Sequence, residues 1–230
     1  MYDISFPTSE EMEQLRTLST YFRFRDSDLI RPEFTALDEE FTEISTWARI
    51  LAQRLKELNF SYIMASFYYQ KNIPDEPYYD NLSNKYFPHF NEQQQWSNKA
   101  GFEYYSEVLL FKAFSALDTI AHIVSINYGI KMRKVSFNKN LIKKLQEIDP
   151  LRSNRLNTII ESDRFIEFKK LRNDSTHNIS PGQIDSGITK YPNGLVVSSI
   201  GNYTPASKRY LTMTSLKDTV FEIVEIIKLN

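Results

Sequence analysis

The chain has 230 residues, of which 41% are hydrophobic and 25% charged, so it is long enough for a well-buried core. It contains no cysteine, which excludes disulfides, thiolate zinc sites, iron–sulfur clusters and cysteine nucleophiles. Charge is uneven, since residues 1–60 hold 7 basic and 12 acidic side chains and residues 131–172 hold 12 and 5. The basic segment could attract a polyanion or form a solvated helical face.

The N-terminal sequence predicts a soluble protein without membrane attachment. It has neither the basic region nor the apolar region of a signal peptide. No apolar run in the chain approaches the roughly 18 residues that would span a bilayer. We therefore expect a cytoplasmic location.

Two helices are predicted in the N-terminal part, residues 1–70. Thr8 and Glu11 have the spacing of a capping box, which starts a short acidic helix. A longer helix is predicted over Thr35–Leu58, because apolar residues recur there every three or four positions. This stripe consists of Leu37, Phe41, Ile44, Ala48, Leu51, Leu55 and Leu58. The next ten residues continue the helix or begin a second piece after a break near Asn59.

Residues 71–98 are predicted to be a long aromatic connection. Pro74, Pro77 and Pro88 argue against regular structure throughout it. A connection of this length in a compact domain is functional or flexible. His89 lies in it between aromatic residues, and an isolated histidine is more often a packing or surface residue than a ligand.

The strongest predicted helix covers residues 101–129 and is apolar nearly all round, which indicates a central position. Gly129 can provide its left-handed C-terminal cap. Asp118 is an exception within the apolar middle, so its carboxylate needs a partner or a wetter face. His122 lies one turn further on and offers a local pair, while a distant arginine is the alternative partner.

Further helices follow, and then the character of the sequence changes. Ser136 is predicted to cap a short helix, and the segment after Pro150 reads as two helices joined near Ser162. Asn193-Gly194, between β-branched runs, predicts the turn of a β-hairpin. A third strand is predicted at residues 209–214, followed by an amphipathic helix capped by Ser215.

The segment "FKKLRNDSTHNISPG" contains the strongest candidate for chemistry. Arg172 and His177 are five positions apart, and Asn173 follows the arginine directly. Because "NDST" has poor helix propensity, we expect the helix to end between Arg172 and His177, so that both side chains border one cleft. The alternative is a plain solvated helix end.

This segment resembles the HEPN superfamily. The HEPN motif is an arginine, four to six residues and then a histidine, often with asparagine directly after the arginine. Arg172, Asn173 and His177 match that pattern, and "FIEFKKL" supplies the apolar residues expected before it. The long apolar helix around "FSALDTIAHIVSINYG", with Asp118, matches a family helix that often holds an acidic residue.

The resemblance implies a mainly α fold. We expect a single domain over residues 1–230. In it, a HEPN-like antiparallel helical bundle at 99–230 carries extra N-terminal helices and a small β-hairpin insertion near 187–213.

The resemblance also implies a metal-independent endoribonuclease, a toxin or a defence effector, that needs no cofactor. Histidine can exchange a proton near neutral pH and arginine can bind a phosphate, so His177 and Arg172 would be catalytic. Asn173 would orient them, and Asp118 would contact Arg172 in support. Family members usually pair two motifs across a homodimer interface.

Other functions fit the same sequence. A non-catalytic HEPN-like interaction or nucleotide-binding module has the same sequence features. HEPN domains also accompany a separate nucleotidyltransferase, so the partner could be such an enzyme or an antitoxin protein as well as RNA.

Overall fold

The structure is a computed structural model that describes residues 4–19, 24–80, 85–177, 187–199 and 204–229. Most of this part of the chain is helical, which confirms the prediction of a mainly α protein. The α-helices within these ranges are α1 (Ser9–Arg16), α2 (Glu39–Gln70), α3 (Gln93–Asn127), α4 (Lys139–Gln146), α5 (Pro150–Ile160), α6 (Asp163–His177) and α7 (Ala206–Ile227). A short 3₁₀ helix at Asp26–Leu29 precedes α2.

Two pairs of short antiparallel strands accompany the helices. β1 (Pro77–Asp80) pairs with β2 (Lys85–Pro88), and β3 (Gly187–Lys190) pairs with β4 (Val196–Ser199). The first pair lies in the predicted aromatic connection, which is therefore not irregular throughout. Its prolines stand at the first position of β1 and the last of β2, where a missing backbone donor is tolerated.

The chain divides into two compact units, each assembled from three separate segments. Unit 1 contains residues 1–19, 61–108 and 168–214. Its core is aromatic, with Tyr68 and Phe102 almost fully buried. The hydroxyl of Tyr68 donates a hydrogen bond to the carbonyl of Ser5 at 2.8 Å, which ties the N-terminal segment to the core.

Unit 2 contains residues 20–60, 109–167 and 215–230. The parts of α2 and α3 in this unit run antiparallel, because residues later in α2 contact residues earlier in α3. From one end to the other these contacts are the Trp47–His122 ring stack, the hydrogen bonds from Arg54 to Ser115 and Thr119, and the Glu57–Lys112 ion pair. Buried aliphatic residues from all three segments fill its core.

Several predicted helix boundaries are wrong. Helix α2 begins at Glu39 and not at Thr35, and Leu37 is 98% exposed rather than part of the core stripe. The helix runs without a break through Asn59 to Gln70, which is one of the two predicted alternatives. Helix α3 begins eight residues before the predicted start. The amide oxygen of Gln95 accepts hydrogen bonds from the two backbone N–H groups just before that helix, which supplies a cap that propensity does not reveal.

The predicted cap of α4 is at a different residue, while other local predictions are confirmed. Asn138, not Ser136, caps α4 through two backbone N–H groups. The Thr8–Glu11 capping box is present at α1, and α5 and α6 are separated near Ser162 as predicted. Gly129 follows α3 with φ of +61°, as expected of a left-handed cap.

The third strand predicted at residues 209–214 is wrong, because these residues belong to α7. The carboxylate of Asp75 accepts hydrogen bonds from the N–H groups of Ala206 (2.5 Å) and Ser207 (2.8 Å). A carboxylate at this place satisfies unpaired donors and complements the helix dipole. The helix therefore starts well before Ser215, which lies inside it and not at its cap.

Helix α3 contains an 18-residue window with a mean hydropathy of 1.5, long and apolar enough to cross a membrane. It is the one such helix in the described ranges. The prediction that no segment of the chain is long and apolar enough to span a bilayer is therefore wrong. In the structure 61% of that window is buried inside the protein, and the core helix of a soluble protein passes the same test.

Candidate functional site

Helix α6 carries the whole Arg-Asn-x-x-x-His sequence. It extends through "NDST" and ends at His177, so the prediction that the helix ends between Arg172 and His177 is wrong. Each polar residue there costs up to about 0.7 kcal/mol relative to alanine, which is too little to end a packed helix. Phe165 and Phe168, both 1% exposed, provide that packing.

An unbroken helix determines how the two motif positions are arranged. Five positions correspond to about 140° around the helix axis and about 7.5 Å along it. Arg172 and His177 of one chain therefore do not share a narrow face of α6. The side chain of His177 lies outside the described part of the structure.

Arg172 and Asn173 are in direct contact. Nη1 of the arginine donates a hydrogen bond to Oδ1 of the asparagine at 3.1 Å. Arg172 is half-buried and Asn173 is exposed. The amide oxygen thus accepts a hydrogen bond from one arm of the guanidinium fork. The orienting role expected of Asn173 stays a prediction.

Asp118 lies on an exposed position of α3 and not in the apolar interior. Its Oδ1 accepts a hydrogen bond from the backbone N–H of Phe137 at 3.2 Å. This bond fastens the loop that leads from α3 to α4. The predicted contact between Asp118 and Arg172 stays a prediction.

The other two histidines have different surroundings. His122 stacks on Trp47 with ring centroids 4.0 Å apart. Burial lowers the pKa of His122 below its usual 6.5, while the negative charge of Asp118 opposes that shift. His89 is exposed and follows β2. Among the described residues no group of three acidic or histidine side chains could hold a metal ion.

Arg209 is a buried cation that the sequence interpretation missed. It is 4% exposed, and its Nη2 lies 3.6 Å from a carboxylate oxygen of Glu107 in the same unit. Its Nε and Nη1 have no hydrogen-bond partner in the described part of the chain. Helical spacing could have revealed it, because Arg209 interrupts an apolar stripe of α7. That stripe consists of Ala206, Met213, Leu216, Val220, Ile223 and Ile227.

Comparison with known protein families shows which family this chain belongs to. The model of the HEPN_Cthe2314-like HEPN family matches residues 47–227. The chain belongs to this HEPN family. This match confirms the predicted HEPN relationship. The matched range includes the four candidate residues Asp118, Arg172, Asn173 and His177, whose roles stay predictions. No curated protein and no solved structure matches the chain.

The HEPN match extends further than the predicted bundle at 99–230. It starts within α2 at Trp47 and reaches the last residue of α7. The β1–β2 pair and the β3–β4 pair therefore lie inside the range that the family covers. Only the segment before residue 47, which includes α1, precedes it.

Proposed function

We propose that this HEPN protein is a metal-independent endoribonuclease. The observation that carries the proposal is the Arg-Asn-x-x-x-His sequence on α6, within the range of the family match. Arg172 and His177 have the chemistry that RNA cleavage without a metal needs. The HEPN family in general is associated with ribonuclease and nucleotide-related functions.

The reaction is a transfer of the phosphodiester within the RNA chain. A base removes the proton of the ribose 2′-hydroxyl, whose oxygen attacks the adjacent phosphorus. The bond to the 5′-oxygen breaks, and an acid protonates that oxygen. The products are a 2′,3′-cyclic phosphate and a 5′-hydroxyl. His177 exchanges protons in this scheme because imidazole titrates near neutral pH.

Arg172 stabilises the negative charge that develops on the phosphate oxygens. A guanidinium group offers several N–H donors in a fixed fork that suits phosphate geometry. Asn173 holds this fork before RNA binds, through the 3.1 Å hydrogen bond to Nη1. We assign Asp118 a supporting role toward Arg172, because a phosphate-binding arginine needs orientation.

A homodimer would complete the site. In-line cleavage requires a base and an acid on opposite sides of the phosphorus, and the motif of one chain contains one histidine. A two-fold axis brings the same surface patch from both subunits together and supplies a second His177. The divergence of about 140° between Arg172 and His177 on one helix also favours a site shared between chains.

The direct test is RNA cleavage in EDTA by the wild-type protein and by His177→Ala. We expect cleavage by the wild type and at least about a hundredfold loss in the variant, since acid–base catalysis contributes that much. His89→Ala is the matched control, because it removes an exposed histidine outside the motif. Equal cleavage by wild type and His177→Ala, or none by the wild type, would overturn the proposal.

The biological role that suits such an enzyme is that of a toxin or defence effector in the cytoplasm. Its partner would then be an antitoxin protein or a nucleotidyltransferase. Growth arrest upon expression of the wild type, and not of His177→Ala, is the expected result. Equal growth with both proteins would count against the toxin role.

The second candidate is a non-catalytic HEPN interaction or nucleotide-binding module. The unbroken α6 helix favours it, because the two motif positions lie about 140° apart around the helix axis and one chain alone does not bring them together. In that case the Arg172–Asn173 contact is structural. Substitution of Arg172 would then lower stability or partner binding and leave RNA intact in every sample.

A further inference from the structure

We propose that a basic surface formed by the α3–α4 loop and α4 binds the phosphate backbone of RNA. It consists of Lys131, Arg133, Lys134, Lys143 and Lys144, which are all exposed and all belong to unit 2. Residues 130–146 contain six basic and no acidic side chains. The inference rests on the proposed function in taking RNA as the polyanion.

The loop contains buried or half-buried apolar side chains and exposed basic ones. Ile130 and Phe137 are buried at its two ends, at 8% and 7% exposure. Met132 and Val135 are half-buried between them, whereas the loop's basic residues are exposed. Apolar side chains thus anchor the loop and direct its cations toward solvent. This arrangement differs from a flexible lysine-rich loop.

Three hydrogen bonds fix the loop on the protein. The N–H of Ile130 donates to the carbonyl of Ser125 at 2.8 Å, directly after α3. The N–H of Phe137 donates to Asp118, as described above. Nζ of Lys144 donates to the carbonyl of Lys131 at 2.5 Å, which brings α4 against the loop. The cations of both segments therefore form one surface.

The charges of this surface have no carboxylate partner among the described residues. None of the ion pairs in the described part of the chain involves these five residues. By contrast, Lys139 on the same helix pairs with Glu161 at 3.1 Å. Cations without a carboxylate partner gain more from a phosphate chain than ion-paired ones, because no ion pair has to be broken.

Helix α4 keeps its two cations in place. Leu141, Ile142 and Leu145 are buried and pack on α5, so Lys143 and Lys144 remain on the outer side. The hydroxyl of Ser153 on α5 donates to the carbonyl of Ile142 at 2.8 Å. These contacts hold the backbone that carries the cations. Lysine and arginine side chains that bind phosphates carry no sequence information, so the surface would bind RNA of any sequence.

The experiment measures RNA binding separately from cleavage. Fluorescence anisotropy of a labelled single-stranded oligouridine is recorded in EDTA, with His177→Ala as the parent protein so that the RNA stays intact. The surface variant carries Arg133→Glu and Lys143→Glu. The matched control carries Arg49→Glu and Lys56→Glu, the same charge change at exposed positions of α2 in the same unit.

We expect the surface variant to bind about tenfold or more weakly, and the control to remain within about twofold of the parent. A variant that carries both Arg133→Ala and Lys143→Ala removes two positive charges. It should lower the slope of log Kd against log salt concentration by about 1.4. Equal weakening by surface and control variants would overturn the inference. Binding of the parent to phosphatidylserine vesicles but not to RNA would also overturn it.

The two proposals fail in different ways. Wild-type protein that binds RNA through the surface and cleaves none would overturn the ribonuclease and keep the surface. Wild-type protein that cleaves RNA, with affinity unchanged by the charge reversals, would overturn the surface alone.

Discussion

Replacement of Arg152 by methionine should destabilise unit 2 strongly. Nε and Nη2 of Arg152 donate hydrogen bonds to the carbonyls of Ile226 and Lys228, both at 2.8 Å. Nη1 contacts the Tyr128 hydroxyl and the Asp149 carboxylate. One side chain therefore ties the start of α5 to the end of α7 and to the residue after α3.

The magnitude follows from what the substitution leaves behind. Methionine keeps most of the packing volume, so the loss comes from polar groups. Two helix-end carbonyls lose their donors, at about 1 kcal/mol each for partly exposed groups. Asp149, whose side chain is 22% exposed, loses its cation, and breaking a buried ion pair costs about 3–5 kcal/mol. Because Asp149 is partly exposed, losing its cation costs less than breaking a fully buried ion pair. We therefore expect the free energy of unfolding to fall by about 3–4 kcal/mol in total.

Urea unfolding followed by circular dichroism at pH 7 measures this loss. Arg155→Met is the matched control on the same helix, because Arg155 is exposed; it should change the free energy of unfolding by less than about 0.5 kcal/mol. Adding Asp149→Asn to Arg152→Met should recover about 1 kcal/mol or more, since it removes the uncompensated charge. A loss below about 1 kcal/mol in Arg152→Met would refute the reasoning.

Two further predictions concern the helix α3. Gly101→Ala should lower the free energy of unfolding by about 1–2 kcal/mol, because its added Cβ would lie 2.7 Å from ring atoms of the buried Tyr68; equal or higher stability in urea would contradict this. NMR titration should give His122 a pKa below 6.5, lowered further in Asp118→Asn. The pKa of His122 is lower in the folded protein than in the unfolded chain. The contribution of His122 to the free energy of unfolding is therefore fully present above about pH 6.5 and is lost as the pH drops through the folded-state pKa. A pKa that rises in Asp118→Asn would show that the sign is wrong.

Local sequence patterns predicted the parts of the fold that depend on neighbouring residues. The Thr8–Glu11 capping box and the Gly129 cap need only a few adjacent side chains and the local backbone. The break near Ser162 is also local. The start of α7 is different, because its cap is the carboxylate of Asp75, 131 positions away in sequence. No local pattern at residues 206–214 contains that information.

The residues of the candidate site predicted the family of the chain, and they did not predict the geometry of this segment. The residue types and spacing of Arg172, Asn173 and His177 were sufficient to identify the HEPN relationship, which the family match confirms. Helix propensity gave the wrong end of α6, because packing of Phe165 and Phe168 offsets the weak preference of the polar residues. The hydrogen bond from Phe137 to Asp118 depends on loop geometry that the sequence does not show.

The most direct test of the central claim is the activity of wild-type protein mixed with His177→Ala protein. After subunit exchange, RNA cleavage in EDTA is measured at constant total protein. If each site needs His177 from both chains, an equal mixture has about one quarter of the activity, since about a quarter of dimers are fully wild type. About half of the activity would contradict the composite site, and no cleavage by the undiluted wild type would contradict the ribonuclease itself.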